Sequence, residues 1–268
     1  MVRFYLGKVF LLNPMQKLKQ RYTGKLVRVL CGVLFLFYLH SAAANQVIHV
    51  AVASNFLSTL KQLKSEFERT HNSKILISAA STGKLYAQIS HGAPFDIFFS
   101  ADDVRPQQLE ALGFSKQHKA FTYAYGKLVV FHPSIESTQF SLSQLANNRV
   151  EHIAIANPKL APYGVAAKNW LLSKGIWQAV SDKIVMGENI NQAMQFVKSG
   201  NAQVAIVALS MMKEEPISAF TELLTTDYQP IRQQGILLSN NKNTAQFAAF
   251  LFTEPAQTII QQNGYILP

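Results

Sequence analysis

The chain has 268 residues, 49% of them hydrophobic, enough to bury one large core or two smaller ones. Its formal charge of +10 invites a nucleic-acid partner, but residues 1–44 hold seven of the 25 basic residues and no acidic one. Beyond them 18 basic residues face 15 acidic ones, with no basic cluster and no nucleic-acid-binding module. The one cysteine, Cys31, lies in the same N-terminal stretch, so the remainder of the chain has no disulfide, thiolate metal site or cysteine nucleophile.

Residues 1–44 have the three parts of a secretory signal: basic "MQKLKQRYTGKLVR", the apolar run "VLCGVLFLFYL", and an Ala-x-Ala site at Ala42 and Ala44. The run of eleven is short for a membrane span, which takes roughly 20 residues. Cleavage is expected after Ala44, giving a mature chain from Asn45 exported to the periplasm, with Met15 as a second candidate start. Cys31 sits inside the run and lacks the small residues that lipid attachment needs.

From Asn45 onward, strand-length apolar runs alternate with helical patterns. "VIHVAVA" stops at Ser54 and Asn55, after which Leu57, Leu60, Leu63 and Phe67 mark one helical face. "SKILISAA" stops at Ser81 and Thr82, followed by Leu85 and Ile89. "FDIFFSA" then precedes a helical "VRPQQLEALG". This order predicts an α/β fold of nearly continuous, doubly covered strands, with ligands beyond their carboxyl ends. Hydroxyl residues at a helix start are ordinarily N-caps, each stabilising its helix by roughly 1 kcal/mol. Two such starts aimed at one place would also make an anion site, because their orphan N–H groups carry the positive end of the helix dipole.

A second α/β series follows. "GKLVVFHP" (Gly126–Pro133), "HIAIANP" (His152–Pro158) and "AQVAIVALS" read as strands; "PYGVAAKNWLLSKG" and "NQAMQFVKSG" read as helices, the latter stopped at Gly200. Near the end, "QQGILLSN" is a strand, "NTAQFAAFLFT" a helix capped at Asn243 or Thr244, and "PAQTIIQQNGY" a helix from Pro255 to Gly264. The expected organisation is a first lobe from 45–126 and 230–268 and a second from 127–229.

No nucleophile elbow, phosphate loop or dinucleotide fingerprint is present, and no His-x-x-x-His pair. Asp96, Asp102 and Asp103 could supply an acid pair, but Asp96 and Asp102 are read as turn and cap residues; a hydrolase using Asp96 or Asp102 lacks an accompanying nucleophile or base. His132 at a strand end reads as structural, and Met211 and Met212 as packing.

"VAVASNF", "AASTGKLYAQISHGAPFDIFFSADD", "NPKLAPYGVAAKNWL" and "GENINQAMQFVKSGNAQVAIVALS" resemble, in order and spacing, the periplasmic molybdate-binding proteins of ABC transporters, from about residue 47 to "QQNGYI". The resemblance implies a two-lobed periplasmic binding protein of type II, each lobe a mostly parallel sheet flanked by helices, with the ligand in the interlobe cleft. It implies capture of molybdate or tungstate and delivery to a membrane permease by a monomer, with no enzymatic activity, no cofactor and no nucleic-acid partner. Carried over residue by residue, the ligand set is Ser54, Asn55 and Thr82, with Ser81 beside them, plus Tyr163 and the backbone N–H of Ile190. No side chain coordinates the metal directly. Ala208 stands where one branch of the family has a tyrosine; Tyr163 suggests the other branch. The alternative is a binding protein for sulfate or another tetrahedral oxyanion.

Overall fold

A computed structural model describes residues 46–115, 119–133 and 140–268; the secretory signal expected in residues 1–44 lies outside them. Strand β1 (Gln46–Ala53) buries Ile48, Val50, Ala51 and Val52, as expected of a strand covered on both faces. It runs through one 3-10 turn at Ser54–Phe56 into helix α1 (Leu57–Thr70), whose Leu60, Leu63 and Phe67 face the core. Strand β2 (Ser73–Ala80) lies parallel to β1, with Ala80 level with Ala53, and leads into α2 (Thr82–Ser90). Strand β3 (Ile97–Phe99) pairs with the other side of β1 and is followed by α3 (Val104–Ala111). Then β4 (Phe121–Gly126) and β5 (Leu128–Phe131) are separated by Lys127 alone, and between them the chain passes from one sheet to the other.

The second sheet collects β5, β6 (Ile153–Ala156), β7 (Ile184–Gly187), β8 (Val204–Ala208) and β9 (Phe220–Glu222). Its helices are α4 (Leu142–Ala146), α5 (Pro162–Ser173), α6 (Trp177–Val180) and α7 (Ile190–Lys198). The chain returns to the first sheet as β10 (Ile231–Leu237) and ends with α8 (Lys242–Phe250) and α9 (Glu254–Gln262).

The two sheets repeat one topology, β2-β1-β3-β10-β4 and β7-β6-β8-β5-β9. In each, four strands point one way and the fourth in line, β10 or β5, runs against them. That reversed strand always arrives from the other sheet. The lobes are thus equivalent and joined by two crossings, β4 to β5 and β9 to β10.

Each lobe has its own core. In the first, Phe56 packs on Phe99, Tyr123 and Tyr265, with ring centroids at 6.1, 4.8 and 5.3 Å. In the second, Trp170, Leu171 and Met194 cover Ile153, Ile155 and Ile206. A fully buried side chain of this size contributes about 1.5–3 kcal/mol. Helix α8 is capped two residues before the nearer of the expected caps: Asn241 is its cap, accepting the Asn243 N–H at 2.9 Å, because Asn241 is the last extended residue and Thr244 turns into the core. The stops at Gly200 and Gly264 fall where expected, with φ of 77° and 81°, a conformation that glycine adopts without strain.

Candidate functional site

Two adjacent parallel strands in each lobe end at the seam between the lobes. β1 and β2 deliver Ser54–Asn55 and Ser81–Thr82; β6 and β7 deliver Pro162–Tyr163 and Ile190. All six residues expected from the sequence, Ser54, Asn55, Ser81, Thr82, Tyr163 and Ile190, line one small cavity of about 10 Å³, closed by Ala53, Ala101, Ala161 and Pro162. That is room for no more than about one water molecule as the lobes stand. No charged side chain lines it. Every polar group facing it is a hydroxyl, an amide or a backbone group near a helix start.

The hydroxyls do not behave as caps. Ser81 occupies the N-cap position of α2, yet its side chain makes no capping bond; its Oγ is buried without a partner. The junction after β1 likewise has no side-chain cap. Thr82 Oγ1 accepts the Ala101 N–H at 3.1 Å, so its own proton remains available. A buried hydroxyl left without a partner costs free energy unless something else occupies its direction.

In the second lobe, Pro162 takes the first position of α5, where its missing N–H costs nothing, and Tyr163 follows. Asn189 caps α7 by accepting the Asn191 and Gln192 N–H groups at 2.9 and 3.2 Å, so the Ile190 N–H takes no part in that cap.

Behind the cavity lies a buried network that the sequence reading missed. Asn55 Nδ2 donates to Gln233 Oε1 at 2.9 Å and to Tyr265 OH at 3.1 Å. The Asn55 carbonyl accepts from Tyr265 OH at 2.9 Å and Ser210 Oγ at 3.1 Å. Tyr123 OH reaches Gln233 Oε1 and the Ser100 carbonyl, both at 3.0 Å. Gln233 Nε2 donates to Tyr163 OH at 3.1 Å. Burial, reinforced by the neighbouring Tyr265 and Tyr123, holds the Tyr163 hydroxyl well above its ordinary pKa, so it stays protonated. One signal was available: Gln233 and Gln234 are polar residues directly before the apolar end of β10, and both are buried.

The carboxylates have local duties. Asp96 accepts the His49 N–H at 2.8 Å; Asp102 accepts from Ser100 Oγ and the Arg105 N–H at 2.9 and 3.1 Å and pairs with the Arg105 side chain. His132 stacks on Phe140 and meets Thr221 Oγ1 at 3.0 Å. Among the described residues no group of three or more His, Cys, Asp or Glu side chains is placed to hold a metal ion.

Two equivalent α/β lobes with a neutral, donor-lined cavity at their seam define a solute-binding protein. The chain belongs to the bacterial extracellular solute-binding proteins, whose family model matches residues 48–266. It is 37% identical over 233 residues to the molybdate-binding protein ModA of Azotobacter vinelandii, covering 85% of this chain and 92% of that protein. It is 35% identical over 228 residues to ModA of Rhodobacter capsulatus, covering 84% and 90%. Among solved structures, the periplasmic molybdate-binding protein of Azotobacter vinelandii matches with a TM-score of 0.77 at 35% identity, over 82% of this chain and 99% of that one. Membership makes the chain a binding protein and not an enzyme.

Proposed function

We propose that this protein captures molybdate, with tungstate as its close analogue, in the extracytoplasmic space and delivers it to the membrane permease of an ABC transporter. The oxyanion is cargo, and the protein uses no cofactor. The observation that carries this reading is the lining of the cavity: neutral donors from both lobes converge on one small space with no charged side chain, and one of them, Ser81 Oγ, has no partner inside the protein. The relatives named above, whose ligand is molybdate, supply the identity of the anion.

The physical chemistry supports the same ligand. A dianion held by neutral hydrogen-bond donors avoids burying a fixed lysine or arginine charge, whose desolvation can exceed the attraction gained. Each hydrogen bond to a charged group contributes roughly 1.5–3 kcal/mol, so a handful suffices for tight binding. Ser54, Asn55, Ser81 and Thr82 act from the first lobe, Tyr163 and the Ile190 N–H from the second, and the bound anion bridges them and holds the lobes together. Residues 1–44 direct export, and the exported protein works as a monomer with no nucleic-acid partner.

The test is calorimetric titration with molybdate, tungstate, sulfate and phosphate, with thermal melts alongside. A ligand at about 1,000 times its dissociation constant stabilises the fold by about 4 kcal/mol, which the melts register independently. Tight molybdate and tungstate binding with no sulfate response is expected. Equal sulfate binding would change the cargo; no response to any oxyanion would end the transport reading.

A further inference from the structure

We propose that Gln233 is a positioning residue that aims the Tyr163 proton into the cavity, and so links the donor sets of the two lobes through a strand that crosses between them. This rests on the reading of the cavity as an oxyanion site.

Gln233 lies on β10, completely buried, where the pairing with β4 slips between Gln233 and Gln234. Such a bulge turns a side chain away from its regular direction. Here it lets a long amide reach the space between the sheets. A buried amide must have its donors and acceptor satisfied. Gln233 Oε1 receives Asn55 Nδ2 at 2.9 Å and Tyr123 OH at 3.0 Å, which fills the carbonyl. The NH₂ end therefore faces Tyr163, whose oxygen accepts it at 3.1 Å. Tyr163 has a single proton, and with its oxygen occupied by the Gln233 donor that proton points away from the amide. The cavity that Tyr163 lines is where a partner for it would sit. Asn55 spends both amide protons inside this network, one of them on the same Gln233 carbonyl, so one residue on a crossing strand holds the Tyr163 hydroxyl of the second lobe and anchors the Ser54–Asn55 helix start of the first.

Gly126 makes the arrangement possible. It is the last residue of β4, and a Cβ built on it would lie 1.9 Å from Tyr163 OH and 2.7 Å from Gln233 Nε2. Any side chain there would displace the phenol from the amide.

The experiment is a double-mutant cycle on molybdate affinity with the wild type, Gln233→Leu, Tyr163→Phe and the double variant, each checked by its melting temperature without ligand. Gln233→Leu is expected to weaken binding strongly when Tyr163 is present and about tenfold less in the Tyr163→Phe background. A purely structural role for Gln233 would cost the same in both backgrounds, and that result overturns the proposal. Should Gln233→Leu not fold, Gln233→Glu replaces it: its carboxylate accepts the Tyr163 proton, so its penalty must again shrink when the hydroxyl is gone, and an unchanged penalty overturns the proposal. Tyr163→Phe binding as tightly as the wild type overturns both the proposal and the place of Tyr163 in the site, while leaving molybdate binding itself intact. Failure of the wild type to bind any oxyanion instead removes the functional reading on which the proposal rests.

Discussion

Lys84 Nζ and Glu188 Oε2 meet at 2.6 Å across the seam between the lobes, two residues beyond Thr82 on one side and two before Ile190 on the other. One residue closer to the cavity, the Gly83 N–H donates to the Leu160 carbonyl at 2.9 Å. The bonds that hold the lobes together therefore flank the groups proposed to hold the ligand, so closing the seam and completing the site are one event. Both partners of the ion pair are substantially exposed, and exposed pairs contribute about 0.2–1 kcal/mol. Lys84→Gln should accelerate molybdate release by no more than about fivefold, with the difference fading in high salt. Stopped-flow displacement measures it; a hundredfold effect would mean that Lys84 touches the anion.

Ser81 separates the two readings of a hydroxyl at a helix start. As a cap, Ser81→Ala would lower the stability of the ligand-free protein by about 1 kcal/mol. Its Oγ makes no bond within the protein, so the ligand-free melting temperature should stay the same or rise, while molybdate affinity falls about ten- to a hundredfold. Melting and titration of the same variant give both numbers.

Thr82 should behave differently, because its oxygen is already used by the Ala101 N–H. Thr82→Val leaves that buried amide unpaired, at a cost of about 1–3 kcal/mol, and also removes the hydroxyl proton proposed to serve the ligand. Stability and affinity should fall together, and Thr82→Ser should restore both. Recovery of stability without recovery of binding would limit Thr82 to a structural role.

The parts legible in the sequence were those written in short range. Apolar runs that stop at Ser54–Asn55 and Ser81–Thr82 fixed two strand ends and two helix starts, and the cavity lies there. The edge strands β7 and β9 escaped notice because each is short and only half-buried, which leaves little apolar pattern to read. Nor does periodicity carry strand direction, so the reversed strands β5 and β10, and the duplicate topology they create, emerge only from the pairing. The network behind the site was hidden for a different reason. Asn55, Tyr123, Ser210, Gln233 and Tyr265 are brought together over sequence separations as large as 210 residues, and no local signal announces such a meeting.

Acid should weaken the second lobe through His132. Burial holds its imidazole below its usual pKa of about 6.5, and its Nδ1 is buried without a partner, so the folded form is neutral. The unfolded chain then binds the proton first. Stability is complete above about pH 6.5 and falls as the pH drops below it, because the unfolded state takes up a proton that the native state resists. Melting temperatures from pH 8 to 5 should show this slope, and His132→Gln should flatten it. An unchanged slope in the variant would assign the acid sensitivity to other groups.

A groove that shares a wall with the cavity predicts how binding responds to salt. This groove of about 320 Å³ has Ser54 and Asn55 in its wall, together with Lys61, Lys198, Lys213, Glu214 and Glu215. Lys198 and Glu215 neutralise each other at 2.7 Å, which leaves Lys61 and Lys213 against Glu214. The cavity itself holds no fixed charge, so attraction of the anion over distance falls to these lysines, outside the contacts that retain it. Lys61→Gln should therefore slow molybdate association several-fold at low ionic strength and leave dissociation unchanged. At about 1 M salt, where the screening length is about 3 Å, the variant and the wild type should associate at the same rate. Rapid-mixing kinetics across a salt series decide it: a change in dissociation would place Lys61 against the bound anion, and equal association rates at low salt would remove it from the entry path.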